Sequence, residues 1–330
     1  INQPFDSPII FQLLDNGGIP IPNAIVNFSV SGPGSIDPQQ ASTGTDGKVQ
    51  TRVTASSAIG TITITASYNT FNSTATLQVR PQGPQISSNT FFNAASLAVG
   101  MVPCSLTTVI APGIAPTVQG VLSGVAFGPM PYGLGDVQSI YVNNVAAPIQ
   151  SVANINGKQQ ATFQTPCETS PGSATVRINV AGTETTATGV PVFAAQPGIF
   201  TFQGPNNVTY GAVIRIKDGT YITPSNFAPV GEHFYLVVTG LGQTNPGSTT
   251  NSSGTGNVIV PVVVGVNGGG MIVDSVKPLT GYTGVYLIEF EIPTNAVRSA
   301  DQGLAVFVNV NGQLIFGNGV SIPGVGAPRP

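Results

Sequence analysis

Gly60-Thr61-Ile62-Thr63-Ile64-Thr65-Ala66-Ser67-Tyr68 alternates apolar and hydroxyl side chains with a period of two. That period sets isoleucine and alanine on one face of a β-strand and threonine and serine on the other. The β-branched content suits a pleated, half-buried surface. The same grammar extends on both sides: it predicts strands over Pro8–Leu14, Ala24–Ser29, Lys48–Val53, Gly60–Tyr68 and Ser73–Val79. Between them stand Asp15-Asn16-Gly17-Gly18, Gly32-Pro33-Gly34 and Asp46-Gly47. These residue types accept positive φ or start turns. Five or six short strands at this spacing make a sandwich, and helical periodicity is nearly absent from the rest of the chain.

Composition supports a folded, weakly charged molecule. Charged residues are 7% of the 330, against about 25% in a typical soluble protein. Serine, threonine, asparagine and glutamine therefore have to coat the surface. The net charge of −3, with no run of like charges, lacks the electrostatic footprint of a nucleic-acid or anionic-membrane binder. The 41 glycines and 28 prolines are offset by 41% hydrophobic residues, which points to turn-rich β-structure rather than disorder. The longest apolar candidate, Val258–Val266, is strand-sized, well short of the roughly 18 residues that span a bilayer. Ile1 opens in mid-pattern, so a removed leader is expected ahead of it. Cys104 and Cys167 are the only cysteines and have no metal-ligand company. They suggest one disulfide and an oxidising compartment, two buried thiols being the alternative.

A polar stretch, Arg80–Asn89, marks a boundary. Beyond it the chain repeats itself. Ile140–Val145, Gln160–Pro166 and Gly172–Val180 align with Val262–Gly268, Leu287–Pro293 and Gly303–Asn311, and Thr107–Ile114 aligns with Leu236–Gly242. Each copy is the size of a sandwich with its own core. The expected fold class is all-β, three tandem immunoglobulin-like β-sandwich domains at residues 1–81, 82–195 and 196–330.

Gln3-Pro4-Phe5, Leu13–Gly18, Ile21–Ala24, Val26–Val30, Thr45–Lys48 and Gly60–Ala66 give the first segment its resemblance. It resembles the bacterial immunoglobulin-like domain repeated in invasin- and intimin-type adhesins. In that family a strand precedes the Gln-Pro-Phe segment, which implies that the first sandwich lacks an edge strand of its own. The two copies together resemble the uncharacterised C-terminal domain of large secreted acidobacterial proteins. That resemblance rests on Phe92–Ser96, Val102–Leu106, Pro112–Pro116, Val145–Ile149, Pro166–Glu168, Gln196–Phe200 and Thr239–Gly242. It implies a Cys104–Cys167 pair and brings no activity with it.

No constellation for chemistry emerges. His233 is the only histidine, flanked by Glu232 and Phe234 on a strand-like run, and reads as a satisfied or exposed strand residue. No Gly-x-Ser-x-Gly elbow occurs, and His233 is the only base for any triad. Asp15, Asp46 and Asp218 stand close to glycines as turn formers rather than as a glycosidase pair. No Asp-x-Asp-x-Asp-Gly calcium loop or zinc-finger spacing is present. Gly268-Gly269-Gly270 follows a strand without a helix after it and reads as a hairpin turn, not a phosphate cradle. A Lys–Asn cross-link requires Lys48, Lys158, Lys217 or Lys277 to be buried beside an asparagine and a carboxylate. Phe91-Phe92, Phe200, Phe202, Phe227 and Phe234-Tyr235 are expected mainly in cores, although they could form a ligand platform. Asn27, Asn72, Asn207 and Asn251 sit in glycosylation sequons.

The expectation is a non-enzymatic extracellular or cell-surface structural protein: a stalk or adhesin segment, or a self-assembling filament subunit. A carbohydrate- or protein-binding module is the alternative. Partners follow as further copies joined by β-strand pairing, with the tail Ser321–Pro330 a candidate donor, or a surface glycan or protein. Neither nucleic acid, membrane insertion, catalytic residue, cofactor nor metal is expected.

Overall fold

The computed structural model describes residues 4–79, 83–125 and 127–325. Gln3, residues 80–82 of the boundary stretch and residues 326–330 of the tail, all invoked above, lie outside the described residues. The chain is all-β and divides into two compact units, Ile1–Gln82 and Gly83–Pro330.

The first unit contains strands β1 (Ile9–Gln12), β2 (Ile25–Ser31), β3 (Gly34–Asp37), β4 (Gln40–Ser42), β5 (Lys48–Ala55), β6 (Gly60–Tyr68) and β7 (Phe71–Val79). They form antiparallel sheets ordered β1-β5-β3 and β4-β2-β6-β7. Val49, Val53 and Ile36 of one sheet bury against Val26, Phe28, Ile62 and Ile64 of the other. β6 matches the expected strand at both ends. β3 and β4 fall where the alternation assigned no strand, because each carries a single apolar side chain, Ile36 or Ala41, and alternation needs several. Asp15 Oδ1 accepts the amides of Gly17 and Ile19 at 2.8 and 2.9 Å, the side-chain mimicry that makes aspartate a turn former.

The second unit has two hydrophobic cores. Around the first lie β8 (Phe91–Asn93), β9 (Leu106–Ile110), β10 (Gly120–Ser123), β11 (Val137–Val142), β12 (Val145–Ala146), β13 (Ile149–Ile155), β14 (Lys158–Gln164), β15 (Gly172–Val180) and β16 (Thr183–Val192). Their sheets run β10-β13-β14-β9-β8 and β12-β11-β15-β16. Val109, Val152 and Phe163 of one face meet Ile140, Val176 and Ile178 of the other.

Around the second core lie β17 (Gly198–Ile199), β18 (Thr201–Gln203), β19 (Thr209–Gly211), β20 (Val213–Arg215), β21 (Glu232–Thr239), β22 (Thr244–Asn245) and β23 (Asn257–Val258). β24 (Val262–Val266), β25 (Gly269–Gly270), β26 (Ile272–Pro278), β27 (Tyr286–Ile292), β28 (Gln302–Val310), β29 (Gln313–Phe316) and β30 (Val320–Ile322) complete it. One sheet runs β17-β21-β27-β26 and faces β18-β19-β30-β28-β24-β25. Phe234, Leu236, Ile288 and Phe290 pack on Val264, Leu304, Val306 and Val308.

The two assemblies share their central strand order, β8-β9-β14-β13 matching β17-β21-β27-β26, while β10 belongs to the first alone and β18-β19-β30 to the second. Val109 lies opposite Ala161, and Leu236 opposite Ile288. The sequence alignment of that strand is therefore one residue out. The apolar run alone set Val109 against Val237, whereas the ladder obeys core-facing register and sets it against Leu236.

Candidate functional site

Two places in the second unit gather polar side chains with a defined geometry: the seam where the repeats meet, and the outer face of β21-β27-β26.

The seam has a small dry centre. Leu106, Met130 and Val285 bury together, with Ala94, Phe200, Val237 and Leu279 packed around them. Backbone approach there is close, and glycine permits it. Gly240 has φ +83°, and a Cβ on it stands 2.0 Å from the Gln196 carbonyl and 2.5 Å from Asn93 Nδ2. Gly284, at φ +76°, faces Leu106 Cγ at 2.9 Å in the same test. A side chain at either position is both strained and obstructed.

Around that centre the repeats exchange hydrogen bonds. The Leu106 amide donates to Thr239 Oγ1 at 2.9 Å, and that hydroxyl donates to the Gly284 carbonyl at 2.7 Å. Asn93 Nδ2 donates to the Gln196 carbonyl at 2.8 Å. Asn251 accepts the Met130 amide at 2.7 Å and donates to the Met130 carbonyl at 2.9 Å, while its own amide donates to Gln164 Oε1. The Asn251 side chain is thus committed to the fold, although its sequence is a glycosylation sequon.

Cys104 and Cys167 sit beneath the seam, 3% and 5% exposed, joined at 2.08 Å between sulfurs with Cα atoms 4.2 Å apart. The Cys167 amide donates to Thr250 Oγ1 of the other repeat at 2.9 Å, and that hydroxyl donates to Glu168. Tyr286 is fully buried beside the bridge and donates to the Gly242 carbonyl at 2.7 Å. Burial pushes its phenol well above the ordinary value, so it stays a neutral donor. A cleft of about 320 Å³ opens beside the seam, lined by Val121, Met130, Gln150 and Tyr282 among others. Tyr282 is its only titratable side chain.

On the outer face, His233 Nδ1 lies 2.9 Å from Asp274 Oδ2, and Ser275 Oγ donates to Glu289 Oε2 at 2.9 Å. His233 is exposed, as the sequence suggested. Its hydrogen-bond partner is a carboxylate, not a hydroxyl. Elsewhere in this repeat Arg215, nearly buried, makes a paired contact with the Glu232 carboxylate and reaches Asp218 at 3.2 Å. The hydrogen bonds from Arg215 hold the Glu232 carboxyl below the usual carboxylate range. Lys48, Lys158, Lys217 and Lys277 are all exposed, which removes the burial an isopeptide cross-link demands. Phe91 and Phe234 are core residues, and Phe92, Phe200, Phe202, Phe227 and Tyr235 are partly buried.

No family model matches the chain. No curated protein matches it either. Solved structures give low-identity overlays. An invasin, a bacterial integrin-binding protein, is 13% identical over 96% of this chain and 57% of that one, with a TM-score of 0.23. The C-terminal 282-residue fragment of intimin, in complex with its translocated receptor, is 12% identical over 63% of this chain and 60% of that one, at 0.32. SGBP-B of the Bacteroides ovatus mixed-linkage glucan utilization locus, in complex with a mixed-linkage heptasaccharide, is 12% identical over 97% of this chain and 63% of that one, at 0.28. The chain thus spans less than two thirds of each of these structures.

Sequence reasoning did not bring Asp274 and Glu289 to His233. Their partners lie 41 and more positions away along the chain, and the pairing register decides the contact. The segments Phe92–Ser96, Val102–Leu106, Pro166–Glu168, Gln196–Phe200 and Thr239–Gly242 each contribute residues to the seam or its disulfide.

Proposed function

We propose that the chain is a non-enzymatic, extracellular structural module, built of three sandwiches at 1–81, 82–195 and 196–330, that joins to further copies by strand pairing in a stalk or filament. The observation that carries this reading is β7. It pairs with β6 over all nine of its residues and ends its sheet. Phe71-Asn72-Ser73-Thr74-Ala75-Thr76-Leu77-Gln78-Val79 has neither charge nor proline, and Phe71 is 69% exposed. Edges of soluble proteins are usually blunted by lysine, proline or a bulge, and this one is not. Among the described residues no strand pairs with its outer edge, which offers a template for an extended segment of another copy.

The seam supports the same function from the other end of the chain. Hydrogen bonds and a buried apolar centre hold the second unit's two repeats as one body, as a rigid spacer requires, and the disulfide braces the first repeat at that seam. The bridge suits an oxidising, extracellular setting. Among the described residues no helix is long and apolar enough to cross a membrane.

Concentration-dependent light scattering on the whole chain tests the proposal. Association rising with concentration and abolished by Thr74→Lys/Thr76→Lys, with circular dichroism unchanged, supports it. A monomer at every concentration, or association indifferent to those lysines, overturns it.

A further inference from the structure

The outer face of the second repeat holds a set of metal-ligand atoms whose counterpart in the first repeat has none. Both repeats carry the same irregularity: pairing slips between Ile149 and Ser151 opposite Phe163 and Thr162, and between Val273 and Ser275 opposite Phe290 and Glu289. A bulge sets two residues against one and re-aims a side chain. The extra residue is Gln150 in one repeat and Asp274 in the other. By the same ladders Leu106, opposite Gln164, occupies the place of His233, opposite Glu291. Thr162 occupies the place of Glu289. Leu106, Gln150 and Thr162 thus correspond to His233, Asp274 and Glu289.

The first trio lies against the seam, where Leu106 and Thr162 are buried and Gln150 lines the adjoining cleft. The second trio faces water, with the His233 and Asp274 side chains 48% and 34% exposed. One ligand atom from each of His233, Asp274 and Glu289 lies within 4.8 Å of the others.

We infer that His233, Asp274 and Glu289 bind a first-row divalent cation, of which Zn²⁺ is the convenient probe, leaving the remaining coordination positions open to solvent. Two carboxylates supply the negative charge that balances the ion. The imidazole nitrogen favours a transition metal over Mg²⁺ or Ca²⁺, which take oxygen donors. Bond lengths near 2.0–2.2 Å set tetrahedral ligand atoms roughly 3.4 Å apart, so His233 and Asp274 open slightly from their hydrogen bond while Glu289 adjusts, shifts within the reach of side chains at a surface. The bulge is what makes the set possible: it turns Asp274 and Ser275 to the same face, and Ser275 Oγ then holds Glu289 Oε2. β26 ends its sheet. An ion held across β21, β27 and β26 pins that edge strand to its neighbours, and its open positions accept a donor from a second molecule.

His233 is the only histidine in the chain, so its imidazole proton resonances report this site alone. Zn²⁺ titrated into the whole chain at neutral pH is expected to shift them saturably at one ion per chain. It is also expected to raise the thermal midpoint. Asp274→Asn and Glu289→Gln each weaken binding by about tenfold or more while the resonances stay visible, and His233→Ala abolishes the thermal shift. Absence of a saturable shift overturns the inference. So does undiminished binding in both carboxylate variants, which reduces the effect to a lone surface imidazole. Persistence of the thermal shift in His233→Ala overturns it as well, by placing the ion elsewhere.

Discussion

The two repeats of the second unit share a central strand order and even a bulge, yet they are secured by different physics. In the first, the outer face of β9 and β14 is dry. Leu106 and Thr108 are 1% and 4% exposed there, and a disulfide fastens the loop before β9 to the chain just after β14. In the second, the equivalent face of β21 and β27 is wet, no cysteine exists, and a paired arginine–glutamate contact ties β20 to β21. One fold tolerates both because its core residues alternate inward in each copy, leaving the outer face free to become an interface or a solvated surface. The difference also separates their sensitivities. The first repeat should respond to reductant, the second to acid.

The largest effect is expected from removing the bridge. A crosslink between residues 63 apart withdraws loop entropy from the unfolded chain, worth about 4 kcal/mol in the chain-entropy model. Cys104→Ser/Cys167→Ser is expected to lower the stability of the first repeat by that amount. Hydrogen exchange read by mass spectrometry should show faster exchange in β9, β13 and β14, and unchanged exchange in β5 and β6 of the first unit. Equal loosening of β21, β27 and β28 sharpens the comparison in another direction: it shows the seam fusing both repeats into one cooperative unit.

An acid-sensitive second repeat is the complementary test. Glu232 is depressed in the folded state chiefly by its hydrogen bonds from Arg215. A depressed carboxyl adds stability that is fully present above its unfolded value, about 4.3, and is lost as pH falls through the folded value. Protection of β20 and β21 is therefore expected to decline below about pH 4.3, with Cys104 and Cys167 still joined. Arg215→Ala leaves a part-buried carboxylate unpaired and is expected to cost about 3 kcal/mol at neutral pH. Arg215→Ala/Glu232→Gln should recover part of that loss, the signature of a direct coupling.

How much of this was legible depended on whether the information was local. Gly60–Tyr68 could be read at both ends because alternation is a property of neighbours. The strand Gly34–Asp37 could not, since Gly-Ser-Ile-Asp offers one apolar residue and its pairing with β5 supplies the rest. Asp274 shows the limit most clearly. Strict alternation places it on the opposite face from Val273 and on the same face as Val276, but the bulge sends Val273 and Val276 both inward and Asp274 out. The seam was visible only as text. Thr239-Gly240-Leu241-Gly242 reads along the chain as a strand end running into a turn, while the demand for glycine at 240, the Gln196 carbonyl pressed against its α-carbon, exists only in three dimensions.

The smallest effect distinguishes a seam held by packing from one held by hydrogen bonds. Tyr286 is buried between the repeats, its ring in the second core and its hydroxyl 2.7 Å from the Gly242 carbonyl and 3.5 Å from that of Cys104. Phenylalanine keeps the ring and deletes the donor. Tyr286→Phe is expected to lower stability by about 1 kcal/mol, the net value of one hydrogen bond with a carbonyl left to relax. Its two acceptors lie in different repeats. The loss should therefore appear in urea denaturation of the whole chain and, by hydrogen exchange, in both Cys104-containing and Gly242-containing peptides. A loss confined to the second repeat assigns the hydroxyl to its own core, leaving Leu106, Met130 and Val285 as what holds the two together.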